Sequence, residues 1–220
     1  MLKVERSSFN WLAMQINNTS FARYSHVIKG RVVDLGCGTA PYKHDILKIA
    51  NEYIGVDWEN SFHDTASVDR FADLTKTLPM PDGYADTVTA FQVMEHIPDP
   101  SFFLSECHRI LRSGGRILIT VPYLWHIHEA PHDYARYTRH GLERLLSTAG
   151  FTDTVVSETT GFWQTWVLLF NYHTVRHARG WFRFVLSPIW WAGQRVAPWL
   201  DRHDPNPGCT ASYAVSARKP

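Results

Sequence analysis

Residues 32–42 read Val32-Val33-Asp34-Leu35-Gly36-Cys37-Gly38-Thr39-Ala40-Pro41-Tyr42. Two β-branched residues run into an acid, two glycines one residue apart follow, and a proline opens a helix. A buried strand of this kind delivers the backbone to a turn where Gly36 and Gly38 carry no Cβ, so a ligand can lie against bare main chain. Pro41 suits a first helical turn, where its missing N–H would have no helical partner anyway. A glycine turn at a strand's carboxyl end is the general nucleotide-site geometry of doubly wound α/β sheets. A dinucleotide fingerprint asks for Gly-x-Gly-x-x-Gly or Ala, and here the sixth position is Pro41. Asp34 also stands two residues ahead of the first glycine, where it repels a pyrophosphate and attracts an ammonium.

A second stretch is as rich in reactive groups. Residues 123–138 hold His126, His128 and His132, the acids Glu129 and Asp133, and Tyr123, Trp125, Tyr134, Arg136 and Tyr137. Histidine titrates near neutral pH and suits general-base work. The alternate spacing of His126 and His128 puts both on one side of an extended segment. The same His-x-His-Glu, with His132-Asp133, carries donor types that ligate a divalent ion, although no metal is expected here. The plain structural alternative is a hydrogen-bonded lid with an Asp-Tyr-x-Arg-Tyr corner.

These groups need elements to hold them, and the flanking sequence supplies a repeating pattern. The strand Tyr53-Ile54-Gly55-Val56-Asp57 ends in a second acid about 23 residues after Asp34, the separation at which a carboxylate in such a unit accepts hydrogen bonds from a ribose diol. Trp58 follows, placed either to lie against an adenine face or to pack in the core. A third segment over 68–72 leads to Asp73-Leu74, and an apolar strand over 85–92 ends at Gln92. The spacing of Phe103, Leu104, Cys107, Ile110 and Leu111 predicts a helix over 100–112. Gly114-Gly115 stop it, and a strand follows over 116–122. Strand, helix and strand at these lengths read as βαβ units on a parallel sheet. Thr138 is expected to cap a helix ending near Gly150.

Asp-Leu-Gly-Cys-Gly-Thr at 34–39 resembles the first motif of class I S-adenosylmethionine-dependent methyltransferases. Glu-His-Ile at 95–97, followed by Arg-Ile-Leu-Arg-Ser-Gly-Gly-Arg at 109–116, resembles their type 11, ubiquinone-biosynthesis-like branch. The resemblance covers roughly residues 30–151. It implies a Rossmann-like, doubly wound, mostly parallel seven-stranded α/β sheet closed by an antiparallel hairpin, with S-adenosylmethionine as methyl donor and S-adenosylhomocysteine as product. It places the cofactor on Asp34, Gly36, the Cys37 backbone, Gly38, Asp57, Trp58, Asp73, Leu74 and Gln92. In that frame Asp34 meets the methionine ammonium, Asp73 accepts from the adenine amine (or is a solvated loop acid), and the Leu74 N–H reaches a ring nitrogen. Cys37 is not expected to act as a nucleophile.

Methyl transfer is an in-line displacement at a sulfonium that already carries its leaving group, so the protein supplies positioning, water exclusion and, for a hydroxyl acceptor, a base. His128 is the expected base, His126 its alternative, and Asp133 an orienter or a substrate ligand. His96, Tyr123, His132, Arg136 and Tyr137 are assigned to the substrate, with a structural role for His96 as the alternative. The pattern from Pro122 to Thr138 is similar to that of bacterial methyltransferases associated with surface glycans and lipid-linked sugars. An oxygen of such an acceptor is therefore the expected target. A soluble small-molecule enzyme and a non-catalytic cofactor-binding protein are the alternatives.

With 220 residues, 45% of them hydrophobic, and a formal net charge of +1, one core of ample size is expected. The near-neutral balance speaks against a nucleic-acid partner. Three widely spaced cysteines suit a reducing compartment, and residues 1–6 lack the apolar run of a signal peptide, so a cytoplasmic location is expected. The layout predicts a single domain: a helical cap over 1–29, a cofactor-binding core over 30–158, an insert over 159–208 and a last strand over 209–220. A helix over 8–28 should turn Phe9, Trp11, Leu12 and Ile16 inward, with Arg23 and Tyr24 as cofactor-carboxylate contacts. Residues 159–200 contain no Asp, Glu or Lys, but four arginines and eleven aromatics, six of them tryptophan. That composition fits an interfacial helix at the inner membrane face, and equally a substrate lid or a homodimer face.

Overall fold

The computed structural model describes residues 2, 4–60 and 64–220. Met1 and Lys3, part of the amino-terminal stretch read above, lie outside them. The sheet has seven strands: β1 (Arg31–Leu35), β2 (Glu52–Asp57), β3 (Arg70–Phe71), β4 (Ala85–Phe91), β5 (Leu111–Pro122), β6 (Thr152–Glu158) and β7 (Ser212–Arg218). Their order is β3-β2-β1-β4-β5-β7-β6, with the first five parallel. Val32, Val33, Val88, Ala90 and Ile117 are wholly buried. Strands covered on both faces carry such continuous apolar runs. Amide bonds from Gly114 to Lys219 and from Tyr123 to Ala211 step in opposite chain directions, so β7 runs antiparallel to β5. The order reverses at β1, between β2 and β4, which is where such sheets bind ligands at their carboxyl ends.

The chain divides into two compact units. One comprises Ala22–Pro122, Ile127–Ser157 and Tyr213–Pro220 and holds the sheet. Its helices are α2 (Lys43–Ile46), α3 (Pro100–Ile110) and α4 (Arg139–Thr148). Asp99 starts α3 by accepting from the Ser101 and Phe102 amides at 3.1 and 3.0 Å. The helix buries Phe103, Leu104, Cys107 and Ile110 and stops two residues short of the expected 112, because Leu111 is already paired with Ala85 in β5. The pairing then slips before Thr87 meets Arg116, with Gly114 at φ +76° inside the irregularity. Lys219 Nζ closes the helix by donating to the carbonyls of His108 and Leu111 at 2.8 and 2.7 Å. Thr138 caps α4 through Gly141 N at 3.1 Å. The helix expected after Pro41 is the single turn α2, because its bonds tighten from i−4 to i−3 at Lys48.

The other unit comprises Met1–Phe21, Tyr123–His126 and Glu158–Ser212. It thus gathers the amino-terminal cap and the insert that the sequence separates by more than a hundred residues. Most of α1 (Trp11–Tyr24), α5 (Phe162–Thr174) and α6 (Phe182–His203) belong to it. Leu12 and Ile16 pack with Val167, Leu168, Ala197 and Ala211, while Trp11 is half-buried against that cluster. Phe9 is half-buried too, edge-on to Tyr172 at 5.0 Å. Buried Gln194 ties the unit together, accepting from Leu12 N at 2.9 Å and donating to Ser8 O at 3.0 Å. Asp201 supplies the start of α5, accepting from the amides of Gly161, Trp163 and Gln164 at 3.1, 2.8 and 3.1 Å. Among the described residues no helix is long and apolar enough to cross a membrane.

Candidate functional site

β1 ends in the glycine turn. Gly36 and Gly38 take φ +68° and +52°, left-handed values that favour glycine, and a Cβ on Gly36 would stand 2.5 Å from Val93 Cγ2. The amides of Gly36 and Cys37 donate to Val56 O at 2.8 and 3.1 Å, tying the turn to β2. Gly38 N donates to Asp57 Oδ2 at 2.6 Å, and Trp58 N to Asp57 Oδ1 at 2.7 Å. The two acids of the motif therefore do different work. Asp57 faces the pocket with its carboxylate orientation set by two amides. Asp34 is buried beneath the turn and accepts from Tyr53 Oη and Thr89 Oγ1, both at 2.6 Å. Burial pushes its carboxyl up to about 6. The Cys37 thiol, desolvated and close to Asp34, is pushed up to about 12, where it is a thiol and not a thiolate.

One pocket of about 330 Å³ opens at this end of the sheet. Gly36, Asp57, Trp58, Asp73, Leu74 and Gln92 line it, and so do His96, Glu129, His132 and Tyr134. Trp58 stands 41% exposed, edge-on to His132 at 5.7 Å. Asp73 accepts from Thr75 N and Oγ1 at 3.0 and 2.6 Å, and these bonds hold it below the usual carboxylate range. Gln92 sits at φ +56°, its own N–H on Thr120, and its buried Nε2 has no hydrogen-bond partner. No lysine or arginine is among the described residues lining the pocket.

The histidine loop is held onto the turn Met94–His96. Tyr134 N donates to Glu95 O at 2.9 Å and Tyr137 Oη to Met94 O at 3.0 Å. Arg136 grips Asp133 through both Nη atoms, at 2.5 and 2.7 Å, and that pairing drives Asp133 far below the usual carboxylate range. Asp133 also accepts from His128 N at 2.9 Å and lies 3.4 Å from His128 Nδ1. The rings of His128 and His96 meet edge to face at 5.0 Å.

The structure thus brings nine assigned residues around one pocket or its immediate backing. Asp57, Trp58, Asp73, Leu74, Gln92, His96 and His132 line it together with Gly36, and His128 lies against His96. Asp34 and Cys37 form the floor of the turn, Arg136 and Tyr137 brace the loop, and Asp133 orients His128. His126 and Tyr123 belong to the other unit, where His126 lies 5.2 Å from the Tyr172 ring and Tyr123 N bonds Ala211 O at 2.8 Å. Residues 125–128 form no regular strand, so the even spacing of His126 and His128 does not set a common face. Arg23 and Tyr24 line a different cleft with Lys29 and Arg116, and Tyr24 Oη donates to Ser157 at 2.7 Å. Glu95, Glu129 and Tyr134 stood in the sequence motifs without a place in the assigned site; the signal for Glu95 was an acid between Met94 and His96 at the end of an apolar strand.

Residues 33–119 match a family model described as a methyltransferase domain. Over that stretch the chain is similar to methyltransferase domains, and its mostly parallel seven-stranded sheet is the Rossmann-like fold of class I methyltransferases. Among curated relatives, a probable S-adenosylmethionine-dependent methyltransferase of Mycolicibacterium smegmatis is 38% identical over 109 residues, covering 46% of this chain and 42% of the relative. A ubiquinone biosynthesis O-methyltransferase of Burkholderia pseudomallei is 27% identical over 154 residues, covering 58% of this chain and 66% of that protein. The chain thus spans less than half the length of the mycobacterial relative. Among solved structures, a phosphoethanolamine N-methyltransferase of Haemonchus contortus superposes with TM-score 0.62 at 19% identity, covering 96% of this chain and 56% of that one. A Mesorhizobium loti methyltransferase gives TM-score 0.59 at 18% identity, covering 93% and 100%. At those identities the likeness is one of fold.

Proposed function

We propose that this chain transfers the methyl group of S-adenosylmethionine to an oxygen of a sugar or lipid-linked glycan. The observation that carries this reading is that the cofactor motifs and the histidine loop line the same pocket. The cofactor suits the residues present. Asp57, with one lone pair on each oxygen engaged by an amide, keeps the others for a ribose diol. Trp58 and Leu74 offer apolar surface, and Gln92 Nε2 is a buried donor in need of an acceptor. When bound, S-adenosylmethionine supplies an electrophilic methyl carbon with its leaving group attached. The chain's part is to hold the acceptor in line with that carbon, exclude water and receive a proton.

On the acceptor side stand the hydrogen-bonding groups of His96, Glu129, His132 and Tyr134, and no lysine or arginine among the described lining residues meets a phosphate or carboxylate, which favours a neutral hydroxyl beside the methyl. The Burkholderia relatives are named as O-methyltransferases, in keeping with oxygen as the target atom. In the second unit Trp166, Trp181, Phe184, Trp191 and Trp199 are exposed, Trp181 by 73% and Phe184 by 83%. With four arginines and no acid over 159–200, this surface suits peripheral contact with anionic lipid.

Calorimetric titration with S-adenosylhomocysteine tests the cofactor: micromolar binding is expected, lost in Asp57→Ala. No binding by the wild type sinks the reading. A screen of glycan and small-molecule acceptors with labelled S-adenosylmethionine then tests the substrate, and turnover confined to non-glycan hydroxyls corrects it.

A further inference from the structure

Beside the pocket three side chains meet, Glu95, His96 and His128. Glu95 is wholly buried, and neither of its carboxylate oxygens has a hydrogen-bond partner. His96 Nε2 lies 3.7 Å from Glu95 Oε1, and His128 Nε2 lies 3.9 Å from the same oxygen. The other nitrogen of each ring decides what these Nε2 atoms present. His96 Nδ1 is 2.7 Å from the His132 carbonyl oxygen, which can only accept, so the ring hydrogen sits on Nδ1 and Nε2 holds a lone pair. His128 Nδ1 faces Asp133 Oδ2 at 3.4 Å, which favours the same tautomer. Two imidazole Nε2 atoms and a buried carboxyl group thus face one another. Burial pushes the Glu95 carboxyl up to about 8 against the pull of Arg136, whose guanidinium is bound to Asp133 at 2.5 and 2.7 Å. A buried carboxyl group whose two oxygens lack hydrogen-bond partners is costly, and a cation bound there would relieve it.

We propose that Glu95, His96 and His128 bind a divalent transition metal, zinc being the best match. Two imidazoles and one carboxylate are the protein ligands of open zinc sites, in which a further position is taken by water or substrate. Imidazole donors disfavour magnesium and calcium. A carbonyl and a carboxylate behind the two Nδ1 atoms are the partners that orient metal-bound histidines. The three ligand atoms lie within 4.8 Å of one another. Zinc bonds of about 2.1 Å in a tetrahedron set ligand atoms about 3.4 Å apart, so the two edges at Glu95 close by a few tenths of an ångström on binding. His96 lines the pocket as well, and Glu129 Oε2 lies 3.8 Å from its Nε2. A metal there borders the acceptor, where it would polarise a hydroxyl and ease loss of its proton. That consequence rests on the methyltransferase reading; the binding site itself does not.

The test uses the whole chain, stripped of metal with a chelator and dialysed. Zinc chloride is titrated calorimetrically into wild type, Glu95→Gln and His128→Ala, and cobalt(II) is added separately to record its visible absorption. Titration with S-adenosylhomocysteine in the presence of chelator checks each variant's fold and, independently, the cofactor reading. One equivalent of zinc should bind the wild type at micromolar Kd or tighter, with at least tenfold loss in both variants and an intense cobalt band absent from them. Absence of zinc binding by the wild type, or equal binding by all three proteins, overturns the site even where S-adenosylhomocysteine binds. Zinc bound and lost in the variants, with no S-adenosylhomocysteine bound by any protein, upholds the site and removes the methyltransferase reading.

Discussion

Asp34 shows how one residue of the glycine turn stabilises the strand ends around it. It draws a hydroxyl from β2 and another from β4, so its truncation orphans two buried donors. Asp34→Ala should destabilise the chain by about 2–4 kcal/mol, read from urea unfolding. Its carboxyl is raised from 3.8 to about 6, chiefly by burial. The folded protein then holds the proton more tightly than the unfolded chain, so this group's contribution to stability falls as pH rises from about 4 to 6 and is level above that. The melting temperature of Asp34→Asn, which does not titrate, should lack that fall; parallel curves for the two proteins would refute the assignment. Cys37 carries the opposite expectation for reactivity. A buried thiol raised to about 12 should resist iodoacetamide in the native protein at neutral pH, and peptide mapping that finds it alkylated before Cys209 contradicts this.

Two elements depend on caps that come from far along the chain. Helix α3 ends on Lys219, whose ammonium serves two carbonyls at its carboxyl end. Lys219→Met keeps most of the apolar stem and removes the donor, and should cost about 1–2 kcal/mol in denaturant unfolding. Helix α5 begins on Asp201, a residue of α6 that accepts three amides. Asp201→Ala should lose about 1–2 kcal/mol, while Asp201→Asn should recover a good part of it. Equal loss in both variants would mean that charge, not hydrogen bonding, is what the helix start requires.

For the whole molecule, the aromatic and arginine-rich surface of the insert sets the expected behaviour. Flotation with phosphatidylglycerol vesicles should carry the protein upward, weakly with neutral phosphatidylcholine and less at high salt. Replacing Arg176, Arg179, Arg183 and Arg195 by glutamate should abolish flotation and leave S-adenosylhomocysteine binding intact. Flotation that is indifferent to these charges would point to an apolar lid or dimer face instead.

Much of the core was legible from local rules. The β-branched run into Asp34, the paired glycines, the acid closing β2 and the apolar stripe of α3 each depend on neighbours a few residues away, because strand, turn and helix propensities are local. The Thr138 cap needed only a hydroxyl three residues ahead of an amide. What only tertiary structure decided is which polar groups face each other across long separations. Asp34 and Asp57 look alike in sequence, yet one lies under Tyr53 and Thr89 and the other faces the pocket. His126 and His128, two residues apart, fall in different units. The acid of Glu95 gained its meaning when a loop some thirty residues later laid His128 beside it. Periodicity reports which side of an element is buried. It carries no information about which distant side chain completes a hydrogen bond, because that pairing is set by the packing of the whole chain.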